Sequence, residues 1–223
     1  MPKPVCVSLV DAEYELGDLA VPVPLAELAP GGGSWEVELG FGKGRYLIRR
    51  AAAEPAGRFL GVEMAGRYFR LARQRRNRHG LRNLVLIQGE GLYLMSVALP
   101  RDFAAAVHVY FPDPWPKSRH HKRRLFDSET VDLVLGLLVP GGRLYFATDY
   151  LEYGDLVESI LDSHPAVAEV HRLNVWPDGA RTNYEGKYGA EGRCLVRLAV
   201  SRAGGAPALL HPAGRAGILV ACS

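Results

Sequence analysis

The sequence predicts an α/β protein with a doubly wound, mostly parallel seven-stranded sheet and helices on both faces. Three observations lead there. From residue 35 onward, short apolar runs of strand length alternate with longer helical patterns, the signature of βαβ units joined by right-handed crossovers. One run, Ala104 to Phe111 (AAAVHVYF), is almost continuously apolar, as in a strand covered on both faces. A glycine-rich turn, Gly40-Phe41-Gly42-Lys43-Gly44, directly follows the first regular run.

In chain order, residues 1–34 form a leader rich in Pro and Gly, with a short strand expected near Val5 to Val10. Trp35 to Leu39 reads as a strand, 43–54 as a helix, and Arg58 to Glu63 as the second strand. A helix over 65–79 and a strand over Asn83 to Gln88 follow, then the apolar strand Ala104 to Phe111. Leu125 to Leu138 reads as a helix ended by Pro140-Gly141-Gly142, and Arg143 to Thr148 as a strand. After a helix over 150–163, Ala166 to His171 and Arg193 to Val200 close the sheet, separated by a long loop. The expected organisation is a leader (1–34), one domain (35–202) and a poorly ordered Gly/Ala/Pro-rich tail (203–223).

With 223 residues, 48% hydrophobic and 23% charged, the chain can bury one good-sized core. Its net charge is only +3, but the basic residues cluster. Residues 67–82 carry Arg67, Arg70, Arg73, Arg75, Arg76, Arg78 and Arg82 with no acid among them. Residues 117–124 carry Lys117, Arg119, Lys122, Arg123 and Arg124 with His120 and His121. Such runs are the footprint of a nucleic-acid binder. The first reads equally well as a solvated helix face. Cys6, Cys194 and Cys222 are far apart, which fits a reducing compartment. No signal-peptide pattern and no long apolar run appear, so a cytoplasmic protein with no membrane partner is expected. No metal is expected either: His120 and His121 are adjacent, and no Cys or acid joins them at ligand spacing.

The glycine turn carries the first chemistry. A dinucleotide site wants its third glycine five residues after the first, but here Arg45 holds that position and Gly44 comes one residue early. Glu38 precedes the turn. A diphosphate would be repelled there, whereas a cationic ligand bearing an amino-acid moiety would be held. Glu63 ends the second strand, 23 residues beyond Gly40, where an acid accepts hydrogen bonds from ribose hydroxyls. Glu90 follows the third strand, within reach of an adenine edge. All three acids fall at the carboxyl ends of neighbouring strands, where doubly wound folds bind ligands.

The second chemistry follows the apolar strand, in Phe111-Pro112-Asp113-Pro114-Trp115-Pro116-Lys117. Two prolines stiffen the turn around Asp113. Trp115 is placed either to stack on a base or to cover the core. The basic run beyond it can hold phosphates while a base enters a pocket. Thr148-Asp149 ends the fifth strand, and the loop Arg181 to Tyr188 mixes polar, charged and aromatic groups suited to reading and stacking a splayed base.

The turn and the acid after it resemble those of class I S-adenosylmethionine-dependent methyltransferases. More narrowly, FPDPWPKSRHHKRRL at 111–125 resembles the most specific motif of the tRNA (guanine-N7)-methyltransferase family, bacterial single-subunit type. ELGFGKG at 38–44, GVE at 61–63, ATD at 147–149 and TNYE at 182–185 are similar to its other motifs, and the likeness covers roughly 35–201. The resemblance implies a Rossmann-like fold with an antiparallel last strand. It implies S-adenosylmethionine as cofactor, lined by Glu38, Gly40, Gly42, Gly44, Glu63, Glu90 and Asp113, with Asp113 also catalytic. It implies substrate contacts from Lys117, Asp149, Thr182, Asn183, Tyr184 and Glu185. Arg119, Lys122, Arg123 and Arg124 would hold tRNA phosphates. The product would be 7-methylguanosine in the tRNA variable loop, at tRNA position 46, made by a monomer or homodimer. Guanine N7 has no proton to lose, so positioning rather than a general base would carry the reaction. Two rivals remain: methylation of another nucleobase or an amide nitrogen, whose enzymes carry a D/N-P-P-aromatic turn where this chain has D-P-W-P, and a non-catalytic RNA-binding protein on the same fold.

Overall fold

The computed structural model describes residues 13–15, 23, 25–29, 32–117, 119–120 and 124–204. In chain order these form β1 (Glu13–Glu15), α1 (Leu25–Leu28), β2 (Trp35–Leu39), α2 (Arg45–Ala53), β3 (Arg58–Glu63), α3 (Gly66–Arg78) and β4 (Leu84–Gln88). Then come α4 (Gly91–Tyr93), running on as a π-helical turn (Leu94–Ala98), β5 (Ala104–Tyr110), α5 (Thr130–Leu137), β6 (Leu138–Thr148), α6 (Leu151–Asp162), β7 (Val167–Arg172), α7 (Asn183–Ala190) and β8 (Val196–Arg202).

The strands form one sheet in the order β1-β4-β3-β2-β5-β6-β8-β7. The seven expected strands are all present, and β1 adds an eighth at the edge, pairing parallel with β4 through Tyr14 opposite Ile87. The last strand, β8, is antiparallel to both neighbours, β6 and β7. Chain order reverses between β2 and β5, which are parallel neighbours. That reversal opens a crevice at their carboxyl ends.

Alternation along the central strands explains the layers. Leu60, Val62, Val85 and Ile87 pack on one face, with Val131, Val134, Tyr153 and Val157 of α5 and α6. Phe59, Leu84 and Leu86 face the other way, against Leu47, Ile48 and Ala51 of α2 and Phe69 and Ala72 of α3. Gly61 lets α2 sit close, because a Cβ there would lie 2.4 Å from Leu47 Cδ2. Part of the leader is built into this core: Leu25, Leu28 and Ala29 are buried, and the Val23 amide donates to the Ala98 carbonyl.

Several boundaries differ from expectation. α5 begins at Thr130 rather than Leu125, because Phe126 is buried with its amide on the Tyr153 hydroxyl and Asp127 caps the helix through the Glu129 and Thr130 amides. β6 begins at Leu138, ahead of the Pro-Gly-Gly, which sits inside the strand where the register with β5 shifts. The supposed long loop before β8 contains α7. The strand expected near Val5 to Val10 and the tail from residue 205 lie outside the described residues. Among the described residues no helix is long and apolar enough to cross a membrane.

Candidate active site

The switch-point crevice is framed by two turns, one after β2 and one after β5. In the first, Gly40, Gly42 and Gly44 all have positive φ (72°, 53° and 68°), a conformation that disfavours any side chain. A Cβ at Gly40 or Gly42 would meet none of the described residues within 4 Å, so the backbone is bare toward the crevice. Glu63 fastens the turn: its Oε2 accepts from the Gly42 amide and its Oε1 from the Ala65 amide, both at 2.8 Å. Each oxygen keeps a lone pair for a further donor.

Glu38 lies behind that turn, 3% exposed. The Leu47 amide reaches its carboxyl, but among the described residues Oε2 has no hydrogen-bond partner. Burial first, and then the nearby Glu63 charge, push its pKa up to about 8. A buried acid short of one donor, beside a bare glycine turn, fits the ammonium of an amino-acid moiety and does not fit a phosphate. The residues present therefore fit S-adenosylmethionine. Glu90 caps α4, its two oxygens accepting from the Leu92 and Tyr93 amides at 3.0 and 2.6 Å.

In the second turn Asp113 is exposed. The backbone on either side is strained, with φ of 53° at Phe111 and 40° at Trp115. Such outliers persist only where the surroundings enforce them, and they concentrate at functional sites. Arg124 supplies part of that enforcement. Its side chain is 2% exposed and its Nε donates to the Pro114 carbonyl at 2.7 Å, while its guanidinium stacks 4.8 Å from the Tyr153 ring. This corrects the expectation of a phosphate contact at Arg124: the guanidinium is inside, holding the turn. Lys117 and Arg119 are exposed, and Arg119 donates to His120. Lys122 and Arg123 lie outside the described residues.

α7 completes the frame. Thr182 caps it by accepting from the Glu185 amide at 3.0 Å, and Asn183 accepts from Arg45 at 3.1 Å. Tyr184 is 50% exposed and forms an aromatic trio with Phe111 and Tyr188, at ring separations of 5.8 to 6.0 Å. The charge of Asp113 reaches its hydroxyl, so the second turn and the start of α7 meet here. Glu185 is not open to a substrate, a second correction. It is buried, accepting from the Arg181 amide at 2.8 Å and from Arg197 at 2.5 Å. Asp149 is half-buried and accepts from Arg193 at 3.3 Å.

One buried network was not read from the sequence. Arg181 lies over the rings of Tyr46, Tyr145 and Trp176 and donates to the Tyr110 hydroxyl at 2.8 Å. Tyr110 is 2.9 Å from His108 Nδ1, and His108 Nε2 is 3.3 Å from Glu36. Burial lowers the His108 pKa, so a neutral ring hands a hydrogen bond from Tyr110 on to Glu36. Burial alone would raise Glu36, but hydrogen bonds with His108 and Arg50 outweigh it and hold it at about 2. The chain of contacts ties the end of β5 to the start of α7. A histidine inside the apolar run AAAVHVY was the available signal.

A parallel sheet with this switch point, a bare glycine turn over a buried acid and a rigid acidic turn opposite define a Rossmann-like methyltransferase. A family described as "Putative methyltransferase" matches residues 34–198. The tRNA (guanine-N(7)-)-methyltransferase of Nitrosococcus oceani is 33% identical over 74% of this chain and 70% of its own. That of Treponema pallidum is 36% identical over 73% of this chain and 64% of its own. The chain belongs to the tRNA (guanine-N7)-methyltransferase family. An O-methyltransferase structure from Thermotoga maritima shares the fold alone, with a TM-score of 0.55 at 13% identity over 78% of this chain and 60% of that one.

Proposed function

We propose that this protein transfers the methyl group of S-adenosylmethionine to N7 of a guanosine in the variable loop of tRNA, in the cytoplasm, leaving 7-methylguanosine. The observation that carries the reading is a pairing across the switch point. The carboxyl of Glu38, with its Oε2 lacking a partner among the described residues, stands behind one turn, and the stiffened Asp113 turn beside Tyr184 stands opposite. The names of the relatives supply the base and the RNA.

When bound, S-adenosylmethionine supplies an electrophilic methyl on a cationic sulfur. Glu38 would take its ammonium, the free lone pairs of Glu63 its ribose hydroxyls, and the glycine turn its backbone approach. Glu90, with both oxygens committed to amides, would order the segment beside the adenine. On the substrate side, Phe111 and Tyr184 offer ring faces to the base, Thr182, Asn183 and Asp149 border it, and Lys117 and Arg119 face the phosphates. N7 attacks through an in-plane lone pair and needs no general base. Asp113 would hold the Watson–Crick edge of guanine and favour the positive charge that develops on the ring. Holding N7 in line with the methyl group supplies the rest as effective molarity.

Purified protein incubated with labelled S-adenosylmethionine and unmodified tRNA, followed by nucleoside analysis, tests the reading. Label in 7-methylguanosine is the expected result. Label in another nucleoside, or cofactor binding without transfer, overturns the base assignment. Asp113→Ala should lower turnover by about 10²- to 10³-fold, the loss typical of a preorganised charge-stabilising group, while cofactor affinity stays within a few fold. Unchanged turnover would remove Asp113 from the mechanism.

A further inference from the structure

Many of the arginines are matched by acids, including two on α2, where Arg49 pairs with Asp178 and Arg50 with Glu36. Arg172 pairs with Asp155 and Glu158, Arg193 with Asp149 and Glu191, and Arg197 with Glu185. At four arginines of α2 and α3 the pattern stops. Among the described residues Arg45, Arg70, Arg75 and Arg78 form no ion pair, and Arg45, Arg70 and Arg78 are exposed.

Between α2, α3 and the start of α7 runs a groove of about 350 Å³, lined by Arg45, Arg75, Arg78 and His79 together with Gly44 and Asn183. No acid lines it. Two of its guanidinium groups are already oriented. Arg75 donates one nitrogen to the Lys43 carbonyl at 2.8 Å, and Arg45 donates one to Asn183 at 3.1 Å. The remaining donors on each fork are left for an outside acceptor. Cations that are clustered, concave and unmatched repel one another unless an anion joins them. The groove also ends at Asn183, next to Tyr184 and the Asp113 turn, so it continues from the candidate site.

We propose that this groove binds the phosphate backbone of the tRNA strand flanking the target guanosine, as a second contact separate from the 117–124 run. Arginine forks match phosphate oxygens bidentately, and a strand held in the groove keeps the molecule seated while one base is presented at Tyr184. The inference rests on the reading of tRNA as substrate.

Arg78→Glu tests it in the full chain, with Arg143→Glu, an exposed arginine on β6, as the control for net charge. Affinity for unmodified tRNA is measured against salt, with cofactor affinity, KM and kcat beside it. Arg78→Glu should weaken tRNA binding and raise its KM by about tenfold at moderate salt, and should reduce the slope of log affinity against log salt by about one. Cofactor affinity and kcat at saturating tRNA should hold, Arg78→Lys should restore most of the loss, and Arg143→Glu should leave tRNA affinity within about twofold. Equal slopes for Arg78→Glu and wild type, in an enzyme that does methylate tRNA, would overturn the groove and leave the function standing. A wild-type protein that neither binds nor methylates tRNA would overturn both. A titration with inorganic phosphate at fixed ionic strength separates the two sources of phosphate. Tight phosphate binding that Arg78→Glu abolishes without changing tRNA affinity marks a small-anion site and overturns the proposal.

Discussion

Glu38 must change protonation state to hold a cation. Its folded pKa of about 8 leaves it mostly neutral at pH 7, so taking up an ammonium releases a proton. Cofactor affinity should therefore rise from pH 6 to pH 8, with proton release visible as a buffer-dependent heat in calorimetry. Glu38→Gln should bind more weakly and with a flat profile. The same shift has a sign in stability. The folded pKa lies above the unfolded value, so the contribution is full below about pH 4.5 and is lost as pH rises through about 8. Free protein should thus melt progressively lower across that window, by at most about 1.4 kcal/mol per pH unit, and Glu38→Gln should melt more evenly. Equal profiles for the two would show that Glu38 does not titrate there. At this scale the sequence was informative where position in a motif sufficed. That Glu38 and Glu63 stand beside the glycine turn follows from their places at strand ends. The burial of Glu185 and Arg124 does not, because nothing in a string of letters tells a buried carboxylate or guanidinium from an exposed one.

Elements were legible where burial is continuous. β3, β4 and β5 announce themselves as apolar runs. α7 does not: NYEGKYGA has two glycines and one buried residue, Glu185. Its helix rests on the Thr182 cap, on the neighbouring Arg181 amide, and on a contact from Arg197 of β8 that comes from elsewhere in the fold. Helix-to-strand packing gives a sharper test. α6 lies so close to β8 that a Cβ on Gly154 would stand 2.5 Å from Val196 Cγ2. Gly154→Ala should destabilise the protein by about 1–3 kcal/mol despite its better helix propensity, as read by urea unfolding. Val196→Ala in the same chain should recover part of the loss. Simple addition of the two costs would mean that the side chains do not compete.

Across the whole molecule, the sequence conveyed the sheet and its switch point, since alternating strands and helices constrain connection handedness and order. It did not convey β1, three residues whose pairing partner lies far along the chain. A chain ending at residue 195 should lack a cooperative thermal transition in near-ultraviolet dichroism, because β8 supplies the sole described neighbour of β7 and one edge of β6. A cooperative melt from that fragment would refute this dependence. The position of β8 also sets a timetable for biosynthesis. β7 emerges from the ribosome before the strand that will lie beside it has been translated, and β6 waits with its outer edge open. The nascent chain therefore carries two unsatisfied edges at once until the segment ending at Arg202 slides between them. Chaperone demand should be concentrated in that brief interval.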